Sequence, residues 1–343
     1  MKKIFFKYIA LTSIFILTVS ALSSCSKKAD NKPHSIALFV PGIIQDSPTY
    51  EHLTAGTMKA IDDYNQKNQD PEKKVKLYIM EAGTNQAEWA TKLTSLVASG
   101  KYDLIISSNP SLPELAAPLT KQFPNQKFIL LDASFTGNQN IACVSYNQKE
   151  QTYLSGYISG LMSKTHKVAV IAAQEYPVMN NILYPYYARG AADAVEGTTC
   201  EFRIVGNWYD ASKGAEITDA LCAQGVDVIM PICGGASQGV ITSAREHGIF
   251  LSYIDENSFA KAPGTVISSC TTKQEVAAEE AVLDYITGKT QWGKTKVVGL
   301  QDGYIEFIQK DLLYESTVPE PIRKEVAALV SSLMDGSVKV PEL

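Results

Sequence analysis

From residue 34 to residue 287, short apolar runs alternate with segments of helical periodicity, and this rhythm limits the fold more tightly than any other feature. Runs too apolar to keep one wet face, each followed by a helix, are strands of parallel sheets joined by crossover helices. Strands are expected at 34–40, 75–80, 102–107 and 127–132, with helices at 50–65, 86–99 and 112–122 between them. In the second of these helices Trp89, Leu93, Leu96 and Val97 share one face. The series then restarts with strands at 141–146, 167–172, 201–206, 226–233, 249–255 and 265–270. Helices at 150–163, 187–195, 211–224, about 241–247 and 274–287 accompany them, and a closing strand at 296–304 precedes a terminal amphipathic helix at 318–334. Two such series predict two similar α/β lobes rather than one large sheet.

One turn carries a chemical question of its own. Gly235-Ala-Ser237-Gln-Gly239 follows a buried strand and opens a helix, and it spells the G-x-S-x-G of a hydrolase nucleophile elbow. That elbow needs an acid and then a histidine later in the chain. Here the only later histidine, His247, lies within the helix that follows, and none comes after Asp255. His34, His52 and His166 fall in no recognisable constellation, and the chain has no H-E-x-x-H, C-x-x-C or Walker loop. No catalytic, metal-ligating or cofactor-holding residue is therefore expected. Ser237 reads as part of a small-residue turn at the carboxyl end of a strand, where open α/β sheets bind ligands.

The first residues speak to location. Lys2, Lys3 and Lys7 precede an apolar run at 9–22 and then Ser23-Ser24-Cys25, the pattern of a secretory signal. The run is too short and wrongly flanked for a comfortable membrane span. Leu22-Ser-Ser-Cys25 resembles a bacterial lipobox, which would make Cys25 the lipidated first residue of the mature chain, followed by a polar tether. The expectation is a protein anchored by lipid to the cell membrane, facing the periplasm or the exterior. Removing the three signal lysines leaves 28 Lys and Arg against 36 Asp and Glu, a formal balance of −8. With no basic run, nothing here suits nucleic acid. Cys143, Cys200, Cys222, Cys233 and Cys270 have no paired spacing, so buried thiols are expected over a disulfide framework, with one disulfide left open.

A set of local sequences then carries a resemblance. It comprises Lys127-Phe-Ile-Leu-Leu-Asp132, Tyr153-Leu-Ser-Gly-Tyr-Ile-Ser-Gly160, Gly206-Asn-Trp-Tyr-Asp-Ala-Ser-Lys-Gly214, Gly225-Val-Asp-Val-Ile-Met230, Gly234-Gly-Ala-Ser-Gln-Gly-Val240 and Tyr253-Ile-Asp255. In this order and spacing, they resemble the basic-membrane-protein family of ABC-transporter substrate-binding lipoproteins, best known for purine-nucleoside receptors. The resemblance implies a two-lobed periplasmic-binding-protein-like α/β fold, each lobe a mostly parallel sheet flanked by helices, joined by a hinge. The expected division is a signal peptide at 1–24 and a lipidated tether at 25–34. An N-terminal lobe follows at 35–145 plus about 256–295, then a C-terminal lobe at 146–255 plus about 296–320, and a terminal helix and tail at 321–343.

The same resemblance implies a site. Asp46 matches the acidic start of the first ligand loop, Asp132 a carboxylate at a strand end, and Asp255 the carboxylate that grips ribose hydroxyls. Trp208 falls where the family stacks an aromatic on the base, and Gly234 and Gly235 match the glycine turn beside the ligand. The first loop departs from the family's Asp-x-Ser-Phe-Asn, reading Asp46-Ser-Pro48-Thr49-Tyr50, so the aromatic moves one place to Tyr50. Thr272 replaces a lysine, with Lys273 adjacent. Some similar lipoproteins bind riboflavin, and the wider ring of Trp208, with Tyr50 and the nearby Tyr184-Pro-Tyr186-Tyr187 cluster, suits that ligand. Tyr184, Tyr186 and Tyr187 read first as lobe packing. The implied protein is a monomeric subunit that captures riboflavin or a purine nucleoside and hands it to an ABC permease driven by a separate ATPase. An exported receptor signalling to a membrane sensor and an exported serine hydrolase are the alternatives.

Overall fold

A computed structural model describes residues 34–343. The expected signal peptide, Cys25 and the tether through residue 33 lie outside the described residues. The chain runs β1 (Ser35–Val40), α1 (Pro48–Lys67), β2 (Lys76–Glu81), α2 (Trp89–Ala98), β3 (Leu104–Ser108), α3 (Leu112–Gln122), β4 (Lys127–Leu131) and β5 (Ile141–Tyr146). It continues through α4 (Gln148–Met162), β6 (Lys167–Ala172), α5 (Tyr184–Ala194), β7 (Thr199–Ile204), α6 (Ala211–Ala223), β8 (Val228–Ile232), α7 (Ser237–His247) and β9 (Phe250–Asp255). The last elements are β10 (Val266–Thr272), α8 (Gln274–Ile286), β11 (Thr295–Val298), β12 (Ile305–Phe307), α9 (Leu312–Thr317) and α10 (Glu320–Met334).

These strands form two six-stranded sheets, ordered β11-β5-β4-β3-β1-β2 and β12-β10-β9-β8-β6-β7. Every pairing is parallel except β10 with β12. All five residues of β3 are buried, as are all but the first of β1 and β6, because helices cover both faces of each sheet. The two-lobed α/β architecture expected from the alternation is therefore the one observed.

The division between lobes differs in its later part. β10, expected with the first lobe, pairs with β9 and β12 in the second sheet, and β11, expected with the second, pairs with β5 in the first. The chain thus crosses between lobes at β5 to α4, at β10 to α8, and at β11 to β12. β10 is buried along most of its length and would be equally apolar in either sheet, while β11 is a four-residue edge strand with two exposed residues, so hydropathy could not assign these two. Of the single strand expected at 296–304 only the first residues are strand, in β11, and a second short strand, β12, follows beyond it. Between them the chain turns at Gly299 and Gly303, the latter with φ of +75°. The short helix α9 was not expected.

Tight helix pairs brace each lobe. α4 and α5 meet at Gly156 and Gly190, where an added Cβ would stand 2.0 Å from Tyr187 O and 2.1 Å from Tyr153 O. Tyr186 and Tyr187 are 3% and 0% exposed in this packing, and Tyr184 stacks on Phe202 of β7 with ring centroids 4.8 Å apart. All three tyrosines are lobe packing. The five described cysteines are free thiols.

Candidate functional site

The carboxyl ends of the two sheets face one another across a cleft of about 410 Å³. Into it come the loops that follow β1, β2 and β3 from one side and those that follow β7, β8 and β9 from the other. A second groove, about 580 Å³, is lined mainly by residues 300–311 and by α10. Only the first lies where parallel strands of both lobes end, the place where such sheets present ligand-binding groups.

Each lobe contributes an aromatic ring packed against a glycine. Tyr50 leans on Gly42, where a Cβ would lie 2.6 Å from the ring, and its hydroxyl donates to Pro41 O at 3.0 Å. Across the cleft Trp208 lies over Gly234, where a Cβ would stand 3.2 Å from the indole. The φ of +56° at Gly234 is in the region that favours glycine, and the turn is tied down by Ala236 N–H donating to Trp208 O at 3.1 Å. The glycines let the rings sit low on the cleft walls, leaving the space between the lobes open to a planar guest.

Two carboxylates complete the arrangement. Asp132 follows β4 in the first lobe and Asp255 ends β9 in the second, so they hold matching strand-end positions. Both are non-glycine residues at positive φ, +50° and +72°. Each keeps some contact with solvent, yet protein surrounds it, and this desolvation is the main cause of its raised pKa. Burial, reinforced by the charge of Asp255, holds the Asp132 carboxyl well above the ordinary range. Asp255 is pushed up to about 6 by burial, with the Gln151 hydrogen bond pulling the other way and Glu256 adding to the rise. Tyr50 is pushed up to about 12 by burial, offset by a hydrogen bond from Asn109 and raised further by Asp132 and Tyr209. Glu256 is ion-paired with Lys261, whose ammonium lies 5.4 Å from the centroid of the Tyr253 ring.

Of the residues expected at a site, Tyr50, Trp208, Gly234, Gly235 and Asp255 line this one cleft. Asp132 stands just behind its lining, close enough to couple electrostatically to Asp255 and Tyr50. Asp46 belongs to a 3-10 turn between β1 and α1, and the flanking Ile43 and Ser47 line the cleft. Sequence reasoning missed Asn109, Trp89, Lys261, Gln148 and Gln151. Asn109 follows β3 directly, a strand-end position like those of the two aspartates, which the resemblance had implied. The two glutamines open a helix and carry no such signal.

Ser237 Oγ lies 3.3 Å from Cys233 Sγ, while His247 sits at the far end of α7, 3.0 Å from Asp219. Eleven helical residues separate the termini by about 15 Å. Ser237→Ala is accordingly expected to leave ligand affinity within about twofold, a change below 0.5 kcal/mol. Loss of an enzymatic turnover on this substitution would overturn that role for the serine.

A profile for ABC transporter substrate-binding proteins, PnrA-like, matches residues 34–334. Basic membrane protein A of Borreliella afzelii is 23% identical, covering 93% of this chain and 95% of its own length. The ABC transporter nucleoside-binding protein BmpA of Lactococcus lactis is 24% identical over a shorter match, 49% of this chain and 47% of that one. Among solved structures, an ABC transporter system solute-binding protein from Aeropyrum pernix superposes with a TM-score of 0.73 at 18% identity, covering 91% of this chain and 94% of that one. Among the described residues no helix is long and apolar enough to cross a membrane.

Proposed function

Because the chain belongs to the PnrA-like family of ABC transporter substrate-binding proteins, we propose that its interlobe cleft captures a planar heterocycle carrying a ribose or ribityl group. A purine nucleoside and riboflavin are two ligands of that description. The observation that carries this reading is the pair Asp132 and Asp255, one from each lobe, set beside two aromatic rings that rest on glycines. Rings of this kind hold a flat heterocycle by its faces, each aromatic pair contributing roughly 0.5–1.5 kcal/mol beyond burial. Carboxylates accept hydrogens from a row of hydroxyls, and such charge-assisted bonds are about twice as strong as neutral ones. The nucleoside-binding relative in Lactococcus lactis supports the nucleoside form, and the breadth of Trp208 the flavin form.

Capture would proceed by closure of the two lobes about the three crossing segments, shielding the ligand from water. The loaded monomer, held to the membrane through a lipid on Cys25, would then deliver its ligand to a permease served by a separate ATPase. Trp208→Ala should weaken binding by more than about 1 kcal/mol, and an unchanged dissociation constant by calorimetry would remove the ring from the site. Protein purified without added ligand gives the first direct test. A yellow, flavin-like absorbance identifies riboflavin; a colourless protein that binds inosine or guanosine identifies nucleosides; a colourless protein that binds neither would defeat the proposal.

A further inference from the structure

The start of α4 touches both cleft carboxylates at once. Gln148 Nε2 donates to Asp132 Oδ1 at 3.0 Å, and Gln151 Nε2 donates to Asp255 Oδ1 at 3.2 Å and to Cys270 O at 2.9 Å. The glutamines are three residues apart, so they project from one helical face. That face begins where the chain first crosses from one lobe to the other. Gln151 is fully buried and its Oε1 has no hydrogen-bond partner. An orphaned buried acceptor costs free energy, as do two aspartates at positive φ. Such costs gather where a geometry is being held for use.

We propose that Gln148 and Gln151 are positioning residues: from one face of α4 they hold Asp132 of the first lobe and Asp255 of the second, fixing the separation and orientation of the two carboxylates. A neutral amide suits this task. It donates one hydrogen to one oxygen, Oδ1, and among the described residues no protein donor takes the other oxygen of either carboxylate. A lysine or arginine there would neutralise the charge that a ligand hydroxyl is to meet. Gln151 also joins Asp255 to β10, the strand that leads into the second crossing, so the carboxylate and the hinge share one side chain. The other groups facing the pair are Tyr50, Tyr146, Tyr176, Cys270 and Glu256. None of them carries a positive charge that could do the same work.

This rests on the functional reading only in that the freed oxygens receive ligand hydroxyls, and the test keeps the two apart. Carboxyl-carbon NMR of the ligand-free protein follows the titration of Asp132 and Asp255 directly. Losing a donor to the charged form should raise the midpoint by about one pH unit, for Asp255 in Gln151→Met and for Asp132 in Gln148→Met. Unchanged midpoints in folded variants would overturn the proposal whatever the protein binds. Should Gln151→Met fail to fold, the part-exposed Gln148 carries the same test. Calorimetry adds the second arm: each variant should bind inosine or riboflavin about tenfold more weakly, with bare hypoxanthine or lumichrome changed less than twofold. Equal losses for both ligand types would mark a merely structural role. Shifted midpoints in a protein that binds none of these ligands would sink the functional reading and leave the positioning role standing.

Discussion

Asp255→Ala should cost a ribose- or ribityl-bearing ligand about 2–3 kcal/mol, roughly a 30- to 150-fold rise in dissociation constant, while the bare heterocycle loses little. The asymmetry follows from the division of labour in the cleft: rings face the flat part of the ligand, carboxylates its hydroxyls. Equal losses for the nucleoside and its base would contradict that division. The same carboxylate predicts a pH dependence whose sign can be worked out. Its pKa is about 6 in the folded protein against an ordinary value of 3.8. A raised folded value means that the charged form costs stability, so the ligand-free protein is most stable below the ordinary value and loses that contribution as pH rises through about 6. Hydroxyl donors favour the charged form, so affinity moves the opposite way, falling up to about tenfold per pH unit below that midpoint. Asp255→Asn should therefore raise the melting temperature of the ligand-free protein at pH 7.5, do so much less at pH 4, and weaken binding far more at pH 7.5 than at pH 4. A variant less stable than the parent at pH 7.5 would show that the carboxylate is not under strain.

Gly239→Ala should be the most damaging single-methyl change among these helix contacts. A Cβ there would stand 1.7 Å from Ala211 O and 2.9 Å from Ala215 N, both backbone atoms that no rotamer change can move. α7 must then part from α6, and overpacking of this severity costs about 3 kcal/mol or more. Gly197→Ala supplies the comparison: nothing lies within 4 Å, so only its φ of +86° opposes a side chain, at about 1–2 kcal/mol. Chemical denaturation distinguishes the two. Equal midpoints would mean that the α6–α7 contact is looser than described. Gly239 is the last residue of the G-x-S-x-G, so the motif has a packing reason at that glycine, whereas at Gly235 a Cβ would meet Trp208 and Tyr209 only at ordinary contact distances of 3.4 Å and more.

The alternation of strands and helices was legible because apolar periodicity is local and survives without tertiary context. Asp132 and Asp255 were named through the family resemblance rather than through periodicity, and the structure places both at the ends of buried strands of parallel sheets, at the edge where ligands bind. Sheet membership of β10 and β11 was not legible, because a buried strand such as β10 reads the same in either sheet, a short exposed edge strand such as β11 carries little hydropathy signal, and the crossings leave no compositional mark. Gln148 and Gln151 were invisible for another reason. Polar residues in the first turn of a helix ordinarily face water, and only the crossing from β5 to α4 turns them inward. Tyr50 was named through a departure in the first loop, and the structure sets its ring against Gly42, a contact with no sign in the sequence.

Isothermal titration of protein stripped of any carried-over ligand by unfolding and refolding tests the central claim most directly. Riboflavin, inosine and guanosine are each titrated into the parent protein and into the Asp132→Asn/Asp255→Asn double variant. The predicted result is saturable one-to-one binding of at least one of the three to the parent, weakened by roughly 100-fold or more when both carboxylates are gone. No saturable binding of any of them, or equal binding by the double variant, would contradict a cleft in which paired carboxylates read the hydroxylated group.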